Sequence, residues 1–228
     1  MAESIQDRLL RVQERIRAVA ERAGRDATSV TLVAVSKMIP VEVIREALTA
    51  GVTILGENRV QEARDKIAAL PGQATWHLVG HLQTNKAKIA VELFEMIHSL
   101  DSLKLAEALD RSGEQAGRTV RCLMEVNLGG EESKSGTTEE GVRPLLEAAE
   151  RLTHLRVDGL MTIPPFLPDP EQVRPFFRRL RNLREKLTGE GFRLAELSMG
   201  MTHDFEVAIE EGATMVRIGT AIFGPRLG

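Results

Sequence analysis

Lys37 follows directly on the apolar run 31–36 (TLVAVS). A lysine at the end of such a run keeps its stem among apolar neighbours. Burial there disfavours the ammonium and lowers its pKa. A neutral amine can attack an aldehyde and form an imine. The same position also suits a lysine that reaches out to solvent, or one that holds a phosphate as a point charge. Near the other end of the chain, 215–219 (MVRIG) runs into 220–224 (TAIFG). Gly219 lets the backbone come close to an anion, and Thr220 adds a hydroxyl and an N–H. Ser198, Met199 and Gly200 offer a similar small, polar turn just upstream. Arg217 lies inside an apolar run, where a merely solvent-facing arginine is out of place.

These residues need a scaffold that brings them together. Eight short β-rich runs are predicted: 31–36, 53–56, 75–80, 96–100, 120–128, 155–162, 194–199 and 214–219. Segments with apolar spacing of three and four separate them, such as Ile44, Ala47 and Leu48 near 41–50, and Leu103, Ala106 and Leu109 near 102–112. Thr137 with Glu140 reads as a capping box, and Asp169-Pro170 as an N-cap with proline at the first helical position. Strands alternating with helices imply parallel pairing and right-handed crossovers. The expected fold is therefore α/β: one TIM-type (β/α)8 barrel over 1–228, with an extra N-terminal helix at about 3–23. An open doubly wound sheet would carry a glycine-rich turn after its first strand. Here that turn is Ser36-Lys37-Met38-Ile39-Pro40, without glycine.

In such a barrel, chemistry collects at the carboxyl ends of the strands. Nearly every predicted end carries a functional side chain: Lys37, Glu57-Asn58, His81-Gln83, Asp101, Asn127, Thr162, Ser198 and Arg217-Thr220. If strand one closes onto strand eight, Lys37 sits beside a phosphate cup made by Gly219 and Thr220 with Ser198 and Gly200. That pairing suits pyridoxal 5'-phosphate (PLP), and it also suits a sugar-phosphate aldolase that works without a cofactor. Arg217 then either pairs with the phosphate or faces the pyridine nitrogen. Always protonated and with no acceptor, it would keep that nitrogen unprotonated and the ring a weak electron sink. Asn58 can bond the ring hydroxyl oxygen, cap the helix expected over 59–70, or do both. His81 and Gln83 line the pocket or are structural. Lys134, in the polar loop 129–136 (GGEESKSG), is a solvated charge or a second contact for PLP or its recipient.

His77 and His81 have HxxxH spacing, but on a strand four residues span roughly 13 Å, too far to share one ion. Loop 129–135 lacks the Gly-Lys-Ser/Thr ending of a P-loop. Thirty Lys+Arg against 33 Asp+Glu leave a net charge of -3, without the basic surplus of a nucleic-acid binder. No apolar run approaches the roughly 20 residues that span a bilayer, and the charged N-terminus does not read as a signal peptide. A cytoplasmic protein is expected. Cys122 alone forms no internal disulfide and reads as a buried, inert thiol.

Several segments carry a resemblance to a known family. They are 34–37 (AVSK), 56–58 (GEN) with 60–62 (VQE), 80–83 (GHLQ), 97–101 (IHSLD), 126–127 (VN) with 133–136 (SKSG), 197–201 (LSMGM) and 215–224 (MVRIGTAIFG). In this the chain resembles the YggS/PROSC family, the pyridoxal phosphate homeostasis proteins, in order over nearly its whole length. The resemblance implies a barrel like the N-terminal domain of alanine racemase and a PLP Schiff base on Lys37. It implies Ser198, Gly219 and Thr220 at the phosphate, with Arg217 near the pyridine nitrogen. It further implies a PLP-buffering or PLP-delivering role, without robust catalysis and with apo-enzymes as recipients. Arg59 stands where the family commonly has tyrosine, and Thr202 where it has serine. The alternative is a weak PLP-dependent amino-acid racemase. Racemases of the alanine type take a second base, a tyrosine, from an additional domain. The chain has no tyrosine and stops soon after the eighth strand, so a carrier and a monomer are expected.

Overall fold

The computed structural model describes residues 3–130 and 135–225. Eight strands form one closed, all-parallel barrel in sequence order. They are β1 (Thr31–Val35), β2 (Ile54–Glu57), β3 (Thr75–Leu78), β4 (Met96–Leu100), β5 (Val120–Glu125), β6 (Leu155–Met161), β7 (Glu196–Met201) and β8 (Met215–Ile218). Every predicted strand is present. The helices are α1 (Ile5–Arg22), α2 (Val41–Thr49), α3 (Val60–Ala69), α4 (Ala87–Leu93), α5 (Leu103–Ala116), α6 (Glu139–Ala149), α7 (Arg174–Gly189), α8 (Phe205–Glu210) and the single turn α9 (Thr220–Phe223).

The helix before the barrel is dictated locally. Ser4 caps α1: its hydroxyl accepts from the Asp7 N–H, and the Asp7 carboxylate accepts from the Ser4 N–H. Ile5, Leu9, Val12, Ile16 and Val19 recur every three or four residues and are buried. Each such burial is worth roughly 1.5–3 kcal/mol. The stripe lies against α2, α8 and α9, over the seam where β8 meets β1.

That seam positions the site. Val33 is in register with Arg217 and Ala34 with Ile218, so the residues after β1 and after β8 emerge side by side. The expectation that strand one closes onto strand eight is met. On β7 the pairing with β8 shifts register between Ser198 and Met201. Gly200 sits in this irregularity at φ 92°, where a Cβ would come within 2.6 Å of the Ala208 methyl. Only glycine allows that bend, which carries the strand on to Met201, two residues beyond the predicted end.

Two helix starts differ in detail. Thr138, not Thr137, caps α6 and accepts from the Gly141 N–H. Thr137 is held instead at the end of β5, where its N–H donates to the Glu125 carbonyl and its carbonyl accepts from the Asn127 N–H. Asp169 caps a short 3-10 turn, Pro170–Val173, that leads into α7. Inside the barrel, Met96, Leu123, Met161 and Met215 form an apolar cluster separate from the main sheet–helix core. Cys122 is buried, and desolvation pushes its thiol pKa up, as expected of an inert residue.

Candidate functional site

A cavity of about 630 Å³ opens at the carboxyl ends of the strands. Of the predicted site residues, Lys37, Asn58, His81, Arg217, Gly219 and Thr220 line it. Ser198, Met199 and Gly200 do not, and Lys134 lies outside the described residues. Gln83 lines an adjoining polar groove that shares Asn58, Gly80 and His81 with the cavity.

Lys37 is half-buried on the turn that leaves β1. The next strand end supplies Asn58. Of the two roles open to it, the helix cap is absent: Arg59 is the N-cap of α3, and no side chain bonds the helix end. Asn58 therefore serves the cavity wall. Its backbone packs so tightly under Gly80 that a Cβ there would come 2.5 Å from the Asn58 carbonyl oxygen and 2.8 Å from its Cα. Gly80→Ala must displace that backbone. It is expected to cost about 1–3 kcal/mol of stability in a denaturant melt, the usual range for overpacking.

Beside Lys37, at the seam, Gly219 donates its N–H to the Thr202 hydroxyl at 3.3 Å. A Cβ on Gly219 would come 3.2 Å from the Val35 carbonyl, so glycine lets the two strand ends lie together. Thr202, Gly219 and Thr220 gather two hydroxyls at one corner of the cavity. Ser198, expected to help hold a phosphate there, lies fully buried, because inward-facing positions of β7 point into the barrel. Met199 is packed in the apolar core, and Gly200 serves the strand's bend.

Ser198 belongs to a buried polar line across the barrel. Arg217 donates through Nη1 to the Ser198 Oγ at 2.6 Å and through Nη2 to the Thr162 carbonyl at 2.9 Å. Ser198 Oγ lies 2.9 Å from His98 Nδ1, and His98 Nε2 lies 3.0 Å from His77 Nδ1. Arginine only donates, so Ser198 accepts from Arg217; its hydroxyl can either donate to His98 Nδ1 or accept from it, and the His98–His77 bond runs in the matching direction in each case. Burial keeps both rings neutral: desolvation lowers His77 to about 4 and holds His98 well below its ordinary value. Burial also lowers Arg217 to about 10, which still leaves it charged at neutral pH. Among the described residues no cluster of three or more His, Cys, Asp or Glu could hold a metal ion.

Glu125, at the end of β5, lines the cavity and was not singled out from the sequence. Its Oε2 is buried without a hydrogen-bond partner. Desolvation first, and then the charge of Asp101, raises its pKa to about 7 against the opposing pull of Arg217. Ser135, Thr202 and His203 also line the cavity; the His203 Nε2–H donates to the Pro168 carbonyl at 3.0 Å. The usable signal for Glu125 was alternation: it points the same way as Leu123, which fills the barrel interior.

A family model described as alanine racemase, N-terminal domain, matches residues 8–226. A pyridoxal phosphate homeostasis protein of Aquifex aeolicus is 50% identical over 222 residues, covering 96% of this chain and 97% of its own length. One of Escherichia coli is 40% identical over 225 residues, covering 96% and 95%. Among solved structures, PipY of Synechococcus elongatus with PLP bound superposes with a TM-score of 0.84 at 40% identity, covering 97% of this chain and all of that one. A Clostridium difficile alanine racemase shares the fold alone, with a TM-score of 0.74 at 16% identity over 96% of this chain and 57% of its own. The chain therefore belongs to the alanine racemase N-terminal domain family, among the pyridoxal phosphate homeostasis proteins.

Proposed function

We propose that this protein binds PLP at the barrel mouth through a Schiff base on Lys37 and buffers or delivers it to apo-enzymes. The observation that carries this is the meeting, in one cavity, of Lys37 with the corner made by Thr202, Gly219 and Thr220. The residues fit the group. An aldehyde needs an amine, which Lys37 supplies. A phosphate needs hydroxyl and N–H donors, and the two threonines stand at the seam beside that amine. A flat ring needs apolar walls, which Val35, Val79 and Met201 provide. A dianionic ligand disfavours a second negative charge, and Glu125 takes up its proton near neutrality. Bound there, PLP supplies an aldehyde that can be exchanged between amines.

The chain's own residues bind and orient. Asn58 stands on the wall next to Lys37 and can bond the ring hydroxyl. Arg217 is fixed by Ser198 and by the Thr162 carbonyl, so its charge cannot swing away from the cavity floor. The chain has no tyrosine, so the tyrosine base of an alanine-type racemase is lacking, although Lys37 alone could drive slow side reactions. Homologues are named as homeostasis proteins, which favours a carrier. No helix among the described residues is long and apolar enough to cross a membrane. A cytoplasmic monomer, with the exposed Met38 and Phe166 near the cavity mouth, would present the cofactor to recipients.

Thr220→Val keeps the shape of the side chain and removes the hydroxyl. It is expected to weaken PLP retention roughly ten- to hundredfold, the loss of one charge-assisted hydrogen bond of about 1.5–3 kcal/mol, with the melting temperature unchanged. Equilibrium dialysis checks this, and unchanged retention removes Thr220 from the phosphate corner. The delivery role is tested by mixing PLP-loaded protein with a PLP-dependent apo-enzyme. Recovery of enzyme activity no faster than with the same PLP in free solution would count against it.

A further inference from the structure

Met38 is the one non-glycine among the described residues with a positive φ, 61°. Its side chain is 64% exposed, so packing does not explain this conformation. A left-handed non-glycine residue is disfavoured roughly tenfold and persists only when its surroundings impose it. Here the backbone on both sides of Lys37 is tied down. The Met38 N–H donates to Glu62 Oε1 at 2.5 Å, and the Ile39 N–H donates to the Ser36 carbonyl at 3.0 Å. The Ser36 hydroxyl donates to Glu57 Oε1 at 2.7 Å.

One buried ammonium joins these anchors. Lys66 Nζ donates to the Ser36 carbonyl at 2.6 Å, and to Glu57 Oε1 and Glu62 Oε1 at 2.7 Å each. Its three N–H groups thus have three acceptors, contributed by the end of β1, the end of β2 and α3. Burying an ammonium is costly, and an apolar residue on the inner face of α3 would avoid that cost. The arrangement makes sense if the backbone it holds has a task.

Resting on the function proposed above, we infer that Lys66 is a positioning residue for the cofactor lysine. By tying the Ser36 carbonyl to Glu62, it holds the left-handed turn at Met38 that directs Lys37 into the cavity.

The test uses the full-length wild type, Lys66→Met and Glu62→Ala, each also combined with Met38→Gly. Glycine adopts a positive φ without strain, so it should make the anchor dispensable. After mixing with PLP, the rise of visible absorbance reports Schiff-base formation, dialysis reports total uptake, and a thermal melt reports stability. Lys66→Met is expected to slow Schiff-base formation about tenfold, the factor by which the turn is disfavoured, and Met38→Gly to restore most of the rate. A merely structural Lys66 would lower uptake and melting temperature together, and Met38→Gly would restore neither; that result overturns the inference. If Lys66→Met does not fold, Glu62→Ala, altered at a half-exposed residue, carries the same comparison. A wild type that forms no Schiff base overturns the functional proposal instead. The turn is then read from amide hydrogen exchange at Met38 in cofactor-free protein. About tenfold faster exchange in Lys66→Met than in the wild type supports the positioning role, and unchanged exchange refutes it.

Discussion

Lys37→Ala is expected to abolish all cofactor that borohydride can fix to the protein, while leaving weakened, reversible PLP binding. The substitution removes the amine and nothing else that holds the ligand. Thr202, Gly219 and Thr220 still line the seam corner, and Arg217 remains fixed by Ser198 and Thr162. Two or three charge-assisted hydrogen bonds at about 1.5–3 kcal/mol each keep binding measurable after the covalent link is gone. The fold should survive, because Lys37 is half-buried on a turn whose shape is set by its neighbours. Spectroscopy of the variant with added PLP and dialysis of the same samples check both halves. A variant that still fixes cofactor on reduction would move the Schiff base to another lysine. A variant that binds no PLP at all would mean that the phosphate corner contributes little.

Glu125→Gln is expected to stabilise the cofactor-free protein at alkaline pH and to make little difference in acid. The folded-state pKa of Glu125 is raised to about 7, mainly by burial, with Asp101 adding and Arg217 opposing. Below the ordinary carboxylate range both folded and unfolded chains carry the proton, and stability does not depend on this group. As pH rises towards 7, the unfolded chain releases the proton while the folded chain keeps it, so stability falls through that window. Above about 7 the full penalty of a buried carboxylate is present, on the order of 3 kcal/mol. Glutamine has the same shape and never ionises. The variant should therefore gain on the order of 3 kcal/mol at about pH 8, and the gap should close at about pH 4. Denaturant melts at the two pH values measure it. A constant difference at both would mean that Glu125 does not titrate in this range.

Much of this was legible in the sequence because a parallel barrel writes its layout as alternating periods. Met96–Leu100 was bounded correctly from its apolar run alone. Lys37, Asn58, Arg217, Gly219 and Thr220 could be placed because strand ends become cavity walls in this fold. What failed were decisions that depend on a neighbouring strand. Ser198 looked like a phosphate donor until the register put its hydroxyl between Arg217 and His98. Gly200 looked like a phosphate glycine, but the nearby Ala208 and Phe205 show that it makes the β7 bend possible. The spacing leaves Asn58 open as a cap or a ligand contact and makes Thr137 read as a cap, because local spacing does not report which groups the backbone has already used. Glu125 and Lys66 were passed over for the same reason. A carboxylate in an apolar strand and a lysine in an amphipathic helix become notable only when burial and partners are known.

The central claim is a Schiff base on Lys37, and one measurement addresses it directly. Purified protein is mixed with PLP, its visible spectrum is recorded before and after borohydride, and the labelled peptide is mapped by mass spectrometry. The expected result is a yellow protein whose colour is bleached by reduction, with the cofactor mass on the peptide containing Lys37. A colourless protein that takes up no PLP, or a label on another lysine with Lys37 unmodified, would contradict it.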